Sequence, residues 1–120
     1  MQALIKVLCS AACAGALLLA GAAHANYPDR PVKLIVPYAP GGITDNLARA
    51  LAEGVSRELK QPIVVENKAG ASAMIGTGMV ANAPADGYTL LMASNGNMTV
   101  TPLVMKKLTY DPIKELRVIA

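Results

Sequence analysis

The sequence contains no phenylalanine, no tryptophan, two cysteines and a single histidine. Cys9, Cys13 and His24 all lie within the first 25 residues. From Asn26 onward the chain therefore carries neither thiol nor imidazole. That stretch cannot build a Cys or His nucleophile–base pair, a zinc site of the usual ligand set or a disulfide. Serine, lysine or carboxylate chemistry is left, without the commonest general base. The four tyrosines are the only aromatic residues, and the formal net charge of +3 includes Lys6. The other basic residues are scattered, with only Lys106 and Lys107 adjacent. With no basic stripe to follow phosphates and little to stack bases on, the composition argues against a nucleic-acid partner.

A length of 120 residues allows at most one ordinary domain. Lys6 precedes an uncharged apolar run over residues 7–20, and Ala23-His24-Ala25 follows, directly before the polar Asn26-Tyr27-Pro28-Asp29-Arg30. This order reads as a secretory signal peptide over residues 1–25, cleaved to leave 26–120. The apolar run is shorter than the roughly 20 residues of a spanning helix. Cys13 follows Ser10-Ala11-Ala12, without the leucine that a lipid-attachment site favours. The expected product is exported rather than anchored.

Beyond the leader, Val32-Lys33-Leu34-Ile35-Val36 is an apolar, β-branched run between Pro31 and Pro37, which predicts a buried strand. Residues 44–60 switch to a helical period, with Leu47, Leu51, Val55 and Leu59 forming a stripe to bury. Ile43 and Ala48 fall nearby on the wheel, and Arg49, Glu53, Arg57 and Lys60 on the solvated side. Residues 62–66 predict a second strand, and 72–82 a small-residue helix. Gly76 and Gly78 lower the propensity of that helix and point to close backbone packing. Residues 88–93 predict a third strand. Thr101-Pro102 reads as an N-cap with proline at the first helical position, opening a helix to about residue 107. Asp111-Pro112 repeats that signal.

Strand alternating with helix implies an α/β fold with a parallel sheet. Right-handed crossovers leave two simple strand orders, 1-2-3 and 2-1-3. The second covers both faces of the apolar strands and is the order expected here. Strands 1 and 3 then leave the sheet at a topological switch point, where ligands sit in open α/β sheets. The loops at 40–44 and 94–97 would face one crevice. Pro40-Gly41-Gly42-Ile43-Thr44-Asp45 is a glycine-rich strand-to-helix turn, which suits close approach of an anion to free helix N–H groups. Ser94-Asn95-Gly96-Asn97 adds hydroxyl, amide and backbone donors. Taken alone these are ordinary turn residues: Asp45 suits any first helical turn, Thr44 any cap, and Asn67 and Asn97 any tight turn. Neither dinucleotide nor P-loop spacing is present.

The runs Tyr27-Pro28-Asp29-Arg30-Pro31-Val32 and Val36-Pro37-Tyr38-Ala39-Pro40-Gly41-Gly42-Ile43-Thr44-Asp45 are joined by Gln61-Pro62-Ile63-Val64-Val65-Glu66-Asn67-Lys68-Ala69-Gly70-Ala71 and Ile75-Gly76. Ala85-Asp86-Gly87-Tyr88-Thr89-Leu90-Leu91 and Leu108-Thr109-Tyr110-Asp111-Pro112 continue the series. In that order and spacing the chain resembles the Bug-type (TctC-like) solute-binding proteins of tripartite tricarboxylate transporters. The resemblance implies a two-lobed periplasmic binding protein that closes on a small carboxylate or related solute and works with the membrane components of its transporter. It implies no cofactor, no metal and no catalysis. Carried onto this sequence, it implies ligand contacts from Tyr38, Ala39, Gly41, Gly42, Thr44, Asp45, Ser94, Asn95, Gly96 and Asn97, largely through backbone amides and water. Two stretches depart from the family pattern. Ser72-Ala73-Met74 stands where more glycine is usual, and Thr101-Pro102 where Asn-Pro is common.

A two-lobed protein needs two domains of ordinary extent, so residues 26–120 are expected to form an incomplete first lobe with the second absent. Two further readings accompany the solute-binding one. One is a truncated product without independent function, and the other an exported α/β enzyme using Ser94 or a carboxylate pair, against which the missing His and Cys weigh.

Overall fold

The computed structural model describes residues 27–120, so the leader expected at residues 1–25 lies outside the described part. Three parallel strands form a sheet: β1 (Val32–Val36), β2 (Ile63–Asn67) and β3 (Thr89–Leu91), in the order β2-β1-β3. This is the expected 2-1-3 arrangement. Register pairs Leu34 with Val65 and with Leu90, so the central strand is hydrogen-bonded on both sides. Val32, Leu34, Ile35 and Val36 are all buried. A strand covered on both faces is apolar along most of its length, which fits every position but the exposed Lys33.

Helix α1 (Ile43–Leu59) makes the first crossover. It lies on the sheet through small residues: Ala48 joins Leu34 and Val36 in the core, and Ala52 and Asp45 are buried beside it. Of the expected face Ala48 is buried, whereas Leu47 and Leu51 remain 57% and 49% exposed. Alanines let the helix axis approach the strands closely, and that leaves the larger leucines on its flank.

Helix α2 (Met74–Ala81) makes the second crossover and touches β1 and β3. It starts two residues later than expected because Ala71, Ser72 and Ala73 all have positive φ, of 47°, 54° and 69°. The glycines of α2 do allow close packing. A Cβ on Gly76 would lie 2.8 Å from the Lys68 carbonyl oxygen and 2.9 Å from Pro37 Cβ, and one on Gly78 would lie 3.0 Å from Thr109 Oγ1.

After β3 the chain turns helical at once. A π-helical turn (Gly96–Val100) runs into α3 (Thr101–Val104). Thr101 is therefore not the expected N-cap. It lies inside the helical run, and its hydroxyl donates to the Ser72 carbonyl at 3.1 Å, holding the left-handed turn. Asp111-Pro112 opens a single turn in which the Asp111 carboxylate accepts from the Ile113 and Lys114 N–H groups. Those backbone bonds hold the Asp111 pKa below the ordinary carboxylate value.

The entry of the chain into β1 is clamped to the entry into β3. Tyr27 Oη donates to the Gly87 carbonyl at 2.7 Å and Tyr88 Oη to Asp29 at 2.6 Å, while the Arg30 guanidinium lies 4.1 Å from the Tyr88 ring centroid.

Candidate functional site

The segment from β1 to α1 forms the first loop. Gly41 has φ +83°, a left-handed conformation that a side chain would resist. Gly42 is the N-cap of α1 and offers no side-chain cap, so the first N–H groups of the helix have no partner within it. A Cβ on Gly41 would meet nothing within 4 Å. The loop is thus open to approach at the positive end of a 17-residue helix.

Its shape is set from inside by Asp45, which is 2% exposed. One carboxylate oxygen accepts from the Gly41 N–H at 2.8 Å and from Arg49 Nε at 3.0 Å, and the other from Asn67 Nδ2 at 2.9 Å. The Arg49 hydrogen bond, then those of Gly41 and Asn67, lowers the Asp45 pKa from 3.8 to about 2. Asn67, at the end of β2, also donates to the Tyr38 carbonyl at 3.2 Å and accepts from Arg49 at 3.0 Å. Sequence reasoning treated Asn67 as a plain turn residue and gave Arg49 to the solvent face. The four-residue spacing of Asp45 and Arg49 was the available signal for that pair.

The second loop follows β3. Ser94 donates its N–H to Asn97 Oδ1 at 2.8 Å, and Asn97 Nδ2 donates to Thr77 Oγ1 of α2 at 2.9 Å. Tyr110 donates its hydroxyl to the Asn97 carbonyl, and burial pushes the Tyr110 phenol above its ordinary pKa. The two loops meet where Tyr38 Oη and Ser94 Oγ are 2.6 Å apart. Gly96 lies under that contact, with its Cβ position 2.9 Å from the Tyr38 hydroxyl.

The ten expected ligand residues therefore gather at one end of the sheet, in two sets. The side chains of Tyr38, Asp45, Ser94 and Asn97 are engaged with other parts of the chain. Ala39, Gly41, Gly42 and Asn95 are exposed, with Thr44 and Gly96 half-buried between the sets. Thr77 and Tyr110, which sequence reasoning did not single out, complete the inner set. A depression of about 560 Å³ lined by Glu53, Arg57, Lys60 and Ile63 lies at the far end of β2 and shares no wall with the loops.

Residues 47–120 match the model of the tripartite tricarboxylate transporter family receptor. The chain is similar to a UPF0065 protein of Bordetella pertussis, with 46% identity over 95 residues, covering 78% of this chain and 29% of that protein. Among solved structures it is similar to MatC (Rpa3494) from Rhodopseudomonas palustris with bound malate, with TM-score 0.72 and 37% identity over 74% of this chain and 30% of that one. It is also similar to R. palustris Rpa4515 with adipate, with TM-score 0.70 and 40% identity over 72% of this chain and 29% of that one. The chain thus spans about 30% of the length of these relatives.

Proposed function

This chain belongs to the tripartite tricarboxylate transporter receptor family, and we propose that it supplies one wall of a cleft that holds a small carboxylate or related solute in the periplasm. The observation that carries this reading is the meeting of the two loops beside the uncapped start of α1. Backbone N–H groups at a helix start, reached across glycines, favour an anionic oxygen. Ala39, Gly41, Gly42 and Thr44 on one loop and Asn95 and Gly96 on the other face the ligand. Tyr38, Asp45, Ser94 and Asn97 hold the wall in shape and contact the ligand through backbone or water.

MatC with malate and Rpa4515 with adipate support a dicarboxylate as the ligand class. In this reading residues 26–120 contribute part of a first lobe, residues 1–25 direct export and are removed, and the loaded receptor delivers its solute to the membrane components of a tripartite tricarboxylate transporter. No helix among the described residues is long and apolar enough to cross a membrane. Ser94, the serine that an exported hydrolase would need, has Tyr38 and Asn97 as its partners, so no catalytic role is proposed.

One wall excludes little water from a ligand, whereas binding sites usually bury 70–90% of theirs. Calorimetric titration of this chain with malate or adipate is expected to give millimolar or weaker binding, with none to the corresponding diamide. Equal binding of diacid and diamide would remove the anion-holding role, and micromolar affinity would remove the one-wall account.

A further inference from the structure

Asn97 sits where a π-helical turn meets a proline. In that turn the Thr101 N–H bonds to the Gly96 carbonyl, five residues back. The next donor in the pattern is residue 102, a proline, which has no N–H to give to the Asn97 carbonyl. Asn97 is 0% exposed, so water cannot replace the missing donor. Tyr110, thirteen residues further along and itself buried, turns its hydroxyl onto that carbonyl.

The rest of Asn97 is equally engaged. Its side-chain oxygen accepts from the Ser94 N–H and lies 3.2 Å from Ser94 Oγ, and its amide nitrogen donates to Thr77. Ser94 Oγ in turn meets Tyr38 Oη. The Tyr38 carbonyl is held by Asn67, which also holds Asp45. An unbroken chain of hydrogen bonds therefore runs from Tyr110 through both loops to the start of α1.

We propose that Tyr110 is a positioning residue: its hydroxyl replaces the donor that Pro102 lacks and, through Asn97, Ser94 and Tyr38, makes the two loops a single rigid unit. Its consequence for ligand rests on the reading of these loops as a carboxylate-holding wall, whereas the coupling itself stands without ligand. Thr101-Pro102 and Tyr110 are then parts of one device. The proline opens a carbonyl in the second loop, and a distant hydroxyl closes it.

Amide hydrogen exchange on the full chain tests the coupling. Tyr110→Phe removes only the hydroxyl and is expected to speed exchange at residues 94–101 and also at 39–46, each on the order of tenfold. In a Ser94→Ala background the same substitution is expected to act on 94–101 alone, because the bridge to Tyr38 is gone. An effect of Tyr110→Phe confined to 94–101 in the unmodified background would overturn the proposal, as would one that reaches 39–46 equally with Ser94→Ala. If exchange rises throughout Val32–Val36, the variant has lost its fold, and Tyr38→Phe decides from the other end. Faster exchange at 94–98 supports the coupling, and unchanged exchange there overturns it. A malate titration of the unmodified chain is read separately: its failure counts against the proposed function, and the exchange pattern still decides the coupling.

Discussion

Asp45 concentrates the electrostatics of the site in one carboxylate. Its pKa falls from 3.8 to about 2 because the folded chain surrounds the ionised form with donors from Arg49, Gly41 and Asn67. A depressed carboxylate contributes stability that is present above its unfolded pKa and lost as pH falls through the folded one. The acid limb of stability should therefore drop between 3.8 and about 2, and Asp45→Asn should flatten that limb while lowering the denaturation midpoint at neutral pH. Urea titrations at several pH values read both effects. An unchanged acid limb would show that the donors around Asp45 do not favour its ionised form. Asn67 is the partner whose removal tells most about shape, since it links the carboxylate to the Tyr38 carbonyl. Neither it nor Tyr110 was legible as a site residue in the sequence. Their partners lie many residues away, and no local spacing records a contact made by folding. The loops themselves were legible, because Pro40-Gly41-Gly42 and Ser94-Asn95-Gly96-Asn97 advertise their backbone freedom locally.

The elements divide in the same way. The strands and their order followed from apolar runs, prolines and the need to cover two faces. Three features did not: the alanine face of α1, the left-handed start of α2 and the helical onset before Thr101. Each is decided by what packs against it. Helix α1 and helix α2 each carry a glycine that makes a paired prediction. A Cβ on Gly54 would meet nothing within 4 Å, so Gly54→Ala should stabilise by about 0.5–1 kcal/mol from helix propensity. Gly76→Ala would press against the Lys68 backbone and Pro37 and should destabilise by about 1–3 kcal/mol. Thermal or urea unfolding of the two variants should shift in opposite directions. The turn before α2 offers a third change. Ser72 has φ 54° and is exposed, so Ser72→Gly should relieve backbone strain and raise stability by up to about 1 kcal/mol. No gain there would mean that the lost side-chain restriction of the unfolded chain cancels the relief.

Taken together, the described residues leave apolar surface exposed. Ile43, Leu47 and Leu51 are exposed along α1, and Leu103, Ile113 and Ile119 stand exposed elsewhere. Strands β2 and β3 each pair only with β1 among the described residues, so each offers an open edge. Contiguous apolar surface and open strand edges favour association. Sedimentation is expected to show concentration-dependent self-association of this chain. The pair Leu47→Glu and Leu51→Lys should weaken it while changing stability by no more than about 0.5 kcal/mol. Association undiminished by that pair would place the contact on the strand edges instead.

The strand order also sets a timetable. The central strand is the first of the three in chain order, yet its hydrogen-bonding partners are residues 63–67 on one side and 89–91 on the other. As the chain emerges from its N-terminus, this largely apolar segment appears before its partners and stays half-unpaired until β3 arrives. The clamp of Tyr27, Asp29 and Arg30 on residues 86–88 cannot close before then. Closing such distant pairings is slow compared with local helix formation. Residues 32–36 thus spend the longest interval of any strand as an exposed adhesive stretch, and a chaperone acting on the nascent chain would find its natural target there.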